Sequence, residues 1–259
     1  MSFIGQKDLM LEIPAGKMID GNGTWLSINK FGRNNLSADG IAADLWLSGG
    51  TYPFTATTTG GAANITHIKQ LTDVVANRGG LIEVQGLDIN WNLVTQTIHL
   101  DATNSTTLTA FTTPMRRIFR ATSQQAVTLG AQVNIVSSAA TSLFAVIAAG
   151  ANQTQMAIYT VPSGYTAYMT NYYGAFVPTA TPPKNPDSCT FSLHTADNTN
   201  TYFERLRHEA GTAQGAASFQ HFFAPYYKFD QLSDIIMHTV CIGDPGVVNG
   251  GFDLVLVPN

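Results

Sequence analysis

The six histidines are the side chains of this sequence best suited to binding a metal, but their spacing does not favour it. A zinc site is usually recognised from local pairs such as HxH, HxxxH or HExxH, which place two ligands on one face of an element. No such pair occurs here, and His99 and His194 alternate with apolar residues, as on the polar face of a strand. The sequence therefore predicts no histidine metal site. The six are His67, His99, His194, His208, His221 and His238.

Serine and cysteine also lack the surroundings that would make them nucleophiles. No serine lies in a G-x-S-x-G elbow, and Ser163, within a Pro-Ser-Gly turn, has no obvious base. Cys189 and Cys241 have no basic neighbour or helix N-terminus to favour a thiolate. Both lie in apolar alternating segments, which favours buried free thiols, while a disulfide between them remains open. We expect no catalytic residues and no enzymatic activity.

The carboxylates are spread through turns and form no motif. Asp20 and Asn22 faintly resemble a calcium loop but lack the distal glutamate of an EF-hand, so a structural calcium ion remains an open question. A polysaccharide hydrolase would need two carboxylates that converge in space, which a sequence does not reveal. No glycine-rich loop opens a helix, so phosphate binding is not predicted. We expect no cofactor.

The low charge content restricts the kinds of partner. Charged residues make up 12% of the chain, against about 25% in typical soluble domains, and the net charge is −4. The one local basic cluster is Arg116, Arg117 and Arg120. We interpret it as an edge or loop whose arginines pair with carboxylates of a neighbouring chain, and we do not expect nucleic-acid binding. A neutral surface of this kind is typical of faces that are buried against neighbouring subunits.

The chain shows no export or membrane signal. Its first residues lack a basic region followed by a long apolar run, so no signal peptide is predicted. The longest apolar run, 143–149, is strand-sized and far shorter than the ~20 residues of a membrane span. We expect a soluble protein, made in a reducing cytoplasm, with no membrane partner.

Period-two alternation dominates the chain and predicts an all-β fold of the β-sandwich or jelly-roll type. Residues 82–100 alternate as a long hairpin, and the apolar C-terminal segment predicts a central strand. The stretch 65–75 fits either a short helix or a strand followed by a loop, and 203–209 fits one or two helical turns. We predict an extended arm over 1–60, a first β-sandwich over 61–138 and a second, jelly-roll-like sandwich over 139–259.

Aromatic side chains crowd into two segments of the predicted second sandwich. Core packing is the favoured interpretation, and the alternative is an aromatic interface or a carbohydrate platform. The candidate interface residues are Tyr172, Tyr173, Phe222, Phe223, Tyr226 and Tyr227.

Several motifs in a fixed order resemble virion structural proteins of tailed bacteriophages, especially marine ones. They are GRN at 32–34 with DLWLSGG at 44–50, GLDINWN at 86–92, YTVPSGYTAY at 159–168, FQH at 219–221 and GFDLVLV at 251–257. The resemblance implies a place in the virion, with a capsid decoration (cement) or head-fibre role preferred, and it carries no catalytic residues. A proline-rich loop at 178–186 departs from the pattern.

Residues of the first two motifs suggest how the predicted arm would be held. The Arg33 guanidinium can bond several backbone carbonyls, and Trp46 supplies a large apolar anchor, so Arg33, Asn34 and Trp46 are candidate arm anchors. An arm of this kind would lie across capsid subunits or a sister chain. We expect a homotrimer that binds the major capsid protein or other virion proteins. The alternative is a tail-associated or receptor-binding protein that recognises host glycans.

Overall fold

Antiparallel strands form nearly all of the regular structure in the computed structural model, which describes residues 25–36, 40–54, 64–126, 128–179, 187–196, 202–212, 216–243 and 246–259. The predicted all-β sandwich class is confirmed. A short 3-10 helix occupies Val75–Asn77. In chain order the strands are β1 Leu26–Leu36, β2 Ala42–Asp44, β3 Ile65–Gln70, β4 Leu81–Leu87, β5 Leu93–His99, β6 Thr109–Met115, β7 Arg117–Ser123, β8 Val133–Val136, β9 Leu143–Ile147, β10 Ile158–Thr160, β11 Tyr165–Pro178, β12 Asp187–Ala196, β13 Tyr202–Thr212, β14 Ala217–Phe229, β15 Asp234–Ile242 and β16 Gly246–Pro258.

Two sheets pack face to face to form the larger sandwich. Sheet A has the strand order β1-β16-β11-β14, and sheet B has the order β10-β15-β12-β13, with β2 also paired to β15. The strand pairs are nested along the chain: β1 pairs with β16, β2 and β10 pair with β15, β11 pairs with β14, and β12 pairs with β13. The first and second halves of the sandwich therefore run antiparallel to each other as paired strands, and both sheets pack on one apolar core. Large members of that core include Tyr172, Phe176, Phe191 and Phe252.

Strands β2 and β10 lie end to end along β15 and act as one interrupted strand. Their pairing continues across the gap, because Leu45 N donates to Met237 O at 2.8 Å and Met237 N donates to Ala157 O at 3.1 Å. Ala157 N also donates to Leu45 O at 2.9 Å, which joins the two ends directly. Residues 46–156 leave the sandwich and return at this junction, so they are inserted into a strand of sheet B.

The inserted unit has its own core between two smaller sheets, with the orders β6-β3-β8-β9 and β5-β4-β7. Trp46, Tyr52 and Phe54 are buried in this second core. The predicted boundary between residues 138 and 139 falls inside the unit, because β8 and β9 are paired neighbours in one sheet. Strand pairing thus groups β1, β2 and β10 to β16 in the sandwich, and β3 to β9 in the inserted unit.

Several local predictions can be compared with the structure. The hairpin over 82–100 is confirmed as β4 and β5, and the C-terminal strand is central, between β1 and β11. The strand alternative for 65–75 is correct, whereas the helical turns predicted for 203–209 are wrong, because that stretch belongs to β13. Part of the predicted arm is a full sheet strand, because all 11 residues of β1 pair with β16. Residues 1–24 of the arm lie outside the described residues.

Cys189 and Cys241 form a disulfide bond across β12 and β15. The two residues are directly opposite in the strand register, with their Cα atoms 4.0 Å apart. The favoured expectation of free thiols is therefore wrong, and the alternative left open by the sequence is the observed one. The alternating pattern had correctly indicated burial, since both side chains lie in the sandwich core.

Candidate functional site

The outer face of sheet A carries an ordered array of polar and aromatic side chains. Three successive rows run across its strands β14, β11, β16 and β1, as the strand registers define them. The first row is Phe222, Asn171, Asp253 and Asn29; the second is Gln220, Tyr173, Gly251 and Phe31; the third is Ser218, Ala175, Asn249 and Arg33.

A β-bulge in the central strand β11 sets which residues reach this face. The register of β11 shifts between Met169 and Asn171 against both neighbouring strands. Met169 lies in the core, and in a regular strand Asn171, two residues later, would point to the same side. The extra residue reverses the alternation, so Tyr172 enters the core while Asn171 and Tyr173 face outward.

Asn171 and Asn29 both donate to the carboxylate of Asp253. Asn29 Nδ2 lies 2.6 Å from Asp253 Oδ1, and Asn171 Nδ2 lies 3.2 Å from Asp253 Oδ2. Because an ionised carboxylate only accepts hydrogen bonds, this contact fixes the orientation of the Asn171 amide. Asn171 is 8% exposed, and its Oδ1 has no hydrogen-bond partner among the described residues.

Tyr173 lies flat against the sheet because its neighbour on β16 is a glycine. A Cβ added to Gly251 would collide with the backbone oxygen of Lys30, and it would also lie 2.7 Å from the Tyr173 hydroxyl oxygen and 2.9 Å from Cζ. Partial burial raises the pKa of Tyr173, and a hydrogen bond with Asn29 opposes that shift. Only glycine at position 251 lets the phenol ring rest across β16.

The face is recessed beside Tyr173, and we call this concavity the outer-face recess. Its volume is about 560 Å³. Small residues lie along it, including Gly174, Ala175 and Gly250. Phe222, which is 68% exposed, lies opposite Asn171 on the neighbouring strand β14. The polar side chains that line it are Asn171, Tyr173, Ser218, Gln220 and Asn249.

The six candidate aromatics divide between this face and the interior. Tyr172 is buried and its hydroxyl donates to Phe191 O at 2.9 Å, and Phe223 is also a core residue. Tyr226 and Tyr227 are half-buried and pack against the same core. Tyr173 and Phe222 lie on the outer face. The sequence clustering thus combined core residues with surface residues, and the bulge that separates them leaves no signal in the sequence.

The three candidate arm anchors have different surroundings. Asn34 is buried, and its Nδ2 donates to Asp44 O at 3.5 Å. Trp46 is buried in the core of the inserted unit, where its Nε1 donates to Gly50 O at 3.2 Å and its ring meets Tyr52 edge-on. Arg33 is exposed on β1, and its side chain makes no hydrogen bond or ion pair with the residues that the structure describes. Asn34 and Trp46 therefore hold the segment where the chain enters the inserted unit.

The arginine cluster serves contacts within the chain. Arg117 is buried and paired with Asp234, at 2.9 Å. Arg116 Nε donates to Ile89 O at 2.9 Å, and an Arg120 Nη2 donates to Asn29 O at 2.8 Å. The predicted pairing of Arg117 with a neighbouring chain is corrected by this geometry, since its carboxylate partner belongs to the same polypeptide.

A second cavity, of about 270 Å³, lies where β1 meets the inserted unit. Lys30 lines it and donates to Phe119 O, and burial together with nearby Arg120 lowers the pKa of Lys30 well below its usual range. The Tyr159 hydroxyl is buried there without a hydrogen-bond partner among the described residues, and burial raises its pKa. The amine thus links β1 of the sandwich to β7 of the insert, which the irregular sequence around Lys30 did not suggest.

Two pairs of histidines come together across strands. The rings of His194 and His238 stack with centroids 4.7 Å apart, and His238 Nδ1 lies 2.8 Å from Asp44 Oδ1. His208 and His221 meet at 5.2 Å between β13 and β14. Within the described residues, no group of three or more His, Cys, Asp or Glu side chains is arranged to hold a metal ion. Asp20 and Asn22 lie outside those residues. No helix in the described residues is long and apolar enough to cross a membrane.

Comparison with known proteins gives few similarities. No protein-family model matches the chain, and no curated protein matches it. Among solved structures, it is similar to the infectious bursal disease virus VP2 subviral particle, with 8% identity, a TM-score of 0.23, and coverage of 95% of this chain and 74% of that one. A structure of the Gt strain of the same virus gives 9% identity, a TM-score of 0.23, and coverage of 94% and 76%. Such scores establish neither a shared fold nor a shared function.

Proposed function

We propose that this chain is a non-enzymatic structural component of a bacteriophage particle, with capsid decoration or head fibre as the preferred role. The nested pairing of the sandwich strands supports a place in a virus particle, and the motif resemblance with the low charge content favours the capsid role. The first strand of the sandwich pairs with the last, and the pairs between them are nested, which supports the jelly-roll type within the all-β sandwich class. Jelly rolls recur in viral capsid proteins and in lectins.

The motifs at 32–34 and 44–50 support this proposal through the roles of their residues. Gly32 has no room for a side chain, because an added Cβ would lie 2.6 Å from Ala157 N and closer still to Leu45 O. Asn34 bonds the backbone of Asp44, and Trp46 begins the inserted unit. These residues therefore form the junction at which β1 crosses the interrupted strand. The motif that resembles phage virion proteins therefore has a structural role in this chain.

Exposed apolar side chains on the sandwich support a protein that works in contact with neighbours. Val177 is 43% exposed, Phe203 48% and Ile242 56%. Together with the low charge content, they give the surface the composition of an interface core. We propose a homotrimer attached to the shell, with the segment before β1 as the attaching arm. That segment lies outside the described residues.

Two measurements test this function. Light scattering on the purified full chain should give a mass near three chains, and quantitative mass spectrometry of purified particles should find the chain in a fixed copy number. Low-resolution imaging of labelled particles would then locate it on the head or the tail. A monomer that is absent from particles would overturn the proposal.

The alternative, a tail-associated or receptor-binding protein that recognises glycans, is favoured by one specific observation. The outer-face recess combines amide, hydroxyl and aromatic side chains, and jelly rolls also occur in lectins. Fold does not choose between the two roles, so a binding measurement is needed.

A further inference from the structure

We propose that the outer-face recess binds a neutral saccharide, with Asn171, Gln220 and Asn249 contacting hydroxyl groups and Tyr173 and Phe222 contacting the apolar face of a sugar ring. This inference does not depend on whether the chain is a particle component. It rests on an unpaired buried acceptor, on the mixture of polar groups around it, and on the aromatic surfaces beside it.

The unpaired acceptor is the carbonyl oxygen of Asn171. Leaving a buried polar atom without a hydrogen bond is costly, and folded proteins keep few such atoms. Flipping the amide would not remove the problem, because the Nδ2 group would turn away from Asp253 and the oxygen would face a carboxylate. The bulge therefore turns Asn171 outward into the lining of the recess, with its Oδ1 buried and unpaired among the described residues. A ligand hydroxyl that donates a hydrogen bond would satisfy it.

The other polar groups match a ligand that both donates and accepts. Gln220 and Asn249 each offer an amide with both functions, and Ser218 offers a hydroxyl. Neither Lys nor Arg lines the recess, which disfavours phosphate and other anions. Arg33 is nearby, but it sits beyond Asn249 on β1 and is not part of the lining. Neutral hydroxyl-rich molecules fit this set better than charged ones.

The aromatic residues supply the apolar part of the recognition. Tyr173 lies over Gly251 and is half-buried, and Phe222, 68% exposed, is opposite Asn171 beside the recess lining. Aromatic rings next to polar side chains suit ligands that have one apolar face and one hydroxyl-bearing face. The recess volume of about 560 Å³ lies within the usual range for small-ligand sites, roughly 300–1,000 Å³.

A second copy of the chain is a less suitable occupant. The core of a protein interface is apolar and well packed, whereas three of the nine residues that line this recess are amides and one of them holds an unpaired acceptor. A sugar, by contrast, brings several hydroxyls into one small volume.

The test is an array of immobilised neutral and uronic-acid oligosaccharides probed with the full chain, followed by calorimetry with the best neutral hit. Tyr173→Ala, Gln220→Ala and Phe222→Ala should each weaken that binding at least tenfold. Asn171→Ala should abolish it, and the exposed Gln220 and Phe222 variants keep the test valid if Asn171→Ala fails to fold. Leu71→Ala, at an exposed apolar residue of the inserted unit outside the recess, is the control and should bind normally.

Three outcomes would overturn the inference. The first is no binding to any neutral saccharide; the second is binding that survives all of the recess variants. The third is a change in oligomeric mass in those variants without any saccharide binding, which would make the face an interface between copies. Binding confined to uronic acids and lost in Arg33→Ala would overturn the neutral class. None of these results alters the copy number in particles, so the proposed virion role is tested separately.

Discussion

Arg117 and Asp234 form a buried ion pair that joins the inserted unit to the sandwich. Arg117 Nε and Nη2 each donate to a carboxylate oxygen of Asp234 at 2.9 Å, and the two side chains are only 2% and 1% exposed. Thr160 adds a third hydrogen bond to Asp234, and the Arg117 guanidinium lies over the ring of Phe54. The ion pair thus joins two residues that are separated by 117 positions in the sequence, at a point of contact between the two cores.

Replacing Arg117 with Leu should destabilise the protein strongly, because Asp234 would remain buried without its cation. Losing one partner of a buried pair costs about 3–5 kcal/mol. The free energy of unfolding from urea titration is the measurement. The double variant Arg117→Leu/Asp234→Leu should be more stable than the single variant, since both charges of this buried pair are then removed. Arg207→Ala, in an exposed ion pair with Glu204, is the control and should have little effect. Equal losses in all three proteins would contradict the prediction.

Removing the disulfide should lower stability without changing the fold. The bond closes a loop of 52 residues, for which the chain-entropy treatment gives about 4 kcal/mol. Urea titration of Cys189→Ala/Cys241→Ala, and of the wild type with reductant, should show similarly lowered midpoints. Far-ultraviolet circular dichroism should be unchanged before the transition. A reductant effect that persists in the double variant would show that the loss has another source.

Adding one methyl group at Gly32 should disrupt the junction between β1 and the interrupted strand. The new Cβ would collide with backbone atoms of Leu45 and Ala157, and backbone cannot move aside as a flexible side chain would. Overpacking typically costs about 1–3 kcal/mol, and a backbone collision should reach the upper end. Asn35→Ala, at an exposed position of the same strand, is the matched control. Thermal melting that is equally affected by both substitutions would argue against a tight crossing at Gly32.

The protein should lose stability as the pH falls below about 6.5, and His208 should contribute to that loss. Burial, with a smaller contribution from His221, lowers the pKa of His208 in the folded state, and its Nδ1 has no partner among the described residues. The unfolded chain therefore binds more protons than the folded chain below the ordinary histidine pKa of about 6.5, and stability falls with pH there. His221 and Tyr172 are the titratable groups whose rings contact His208.

The corresponding experiment compares urea midpoints at pH 7.5 and 5.5. His208→Gln should reduce the difference between the two midpoints, and His99→Gln, which alters an exposed ring, should leave it unchanged. An unaltered pH difference in His208→Gln would assign the acid sensitivity to other groups.

Local alternation in the sequence predicted strands well where the two faces of a strand differ in burial, as in β4 and β6. The β4–β5 hairpin is the clearest case, since its register follows from adjacent segments. The insertion could not be predicted in this way. It depends on Ala42 pairing with Val240 while Ile158 pairs with Ile236, and such long-range partners leave no local pattern.

At the candidate site, too, local features could be predicted from the sequence and long-range pairing could not. Its residue types were visible as a cluster of aromatics, but which of Tyr172 and Tyr173 reaches the surface depends on a one-residue bulge. The partners of Arg117 and of Cys189 likewise depend on which strands become neighbours. Sequence alone identified the buried character of the cysteines and left their pairing to the fold.

The nesting of strands has a consequence for how the molecule is made. On a ribosome, β1 emerges more than two hundred residues before β16, the strand with which its whole length is paired. The insert has almost all of its sheet partners within residues 46–156, and domains generally fold as units during synthesis. We therefore expect the insert to fold before β16 has left the exit tunnel, at a stage when β1 still lacks its partner strand.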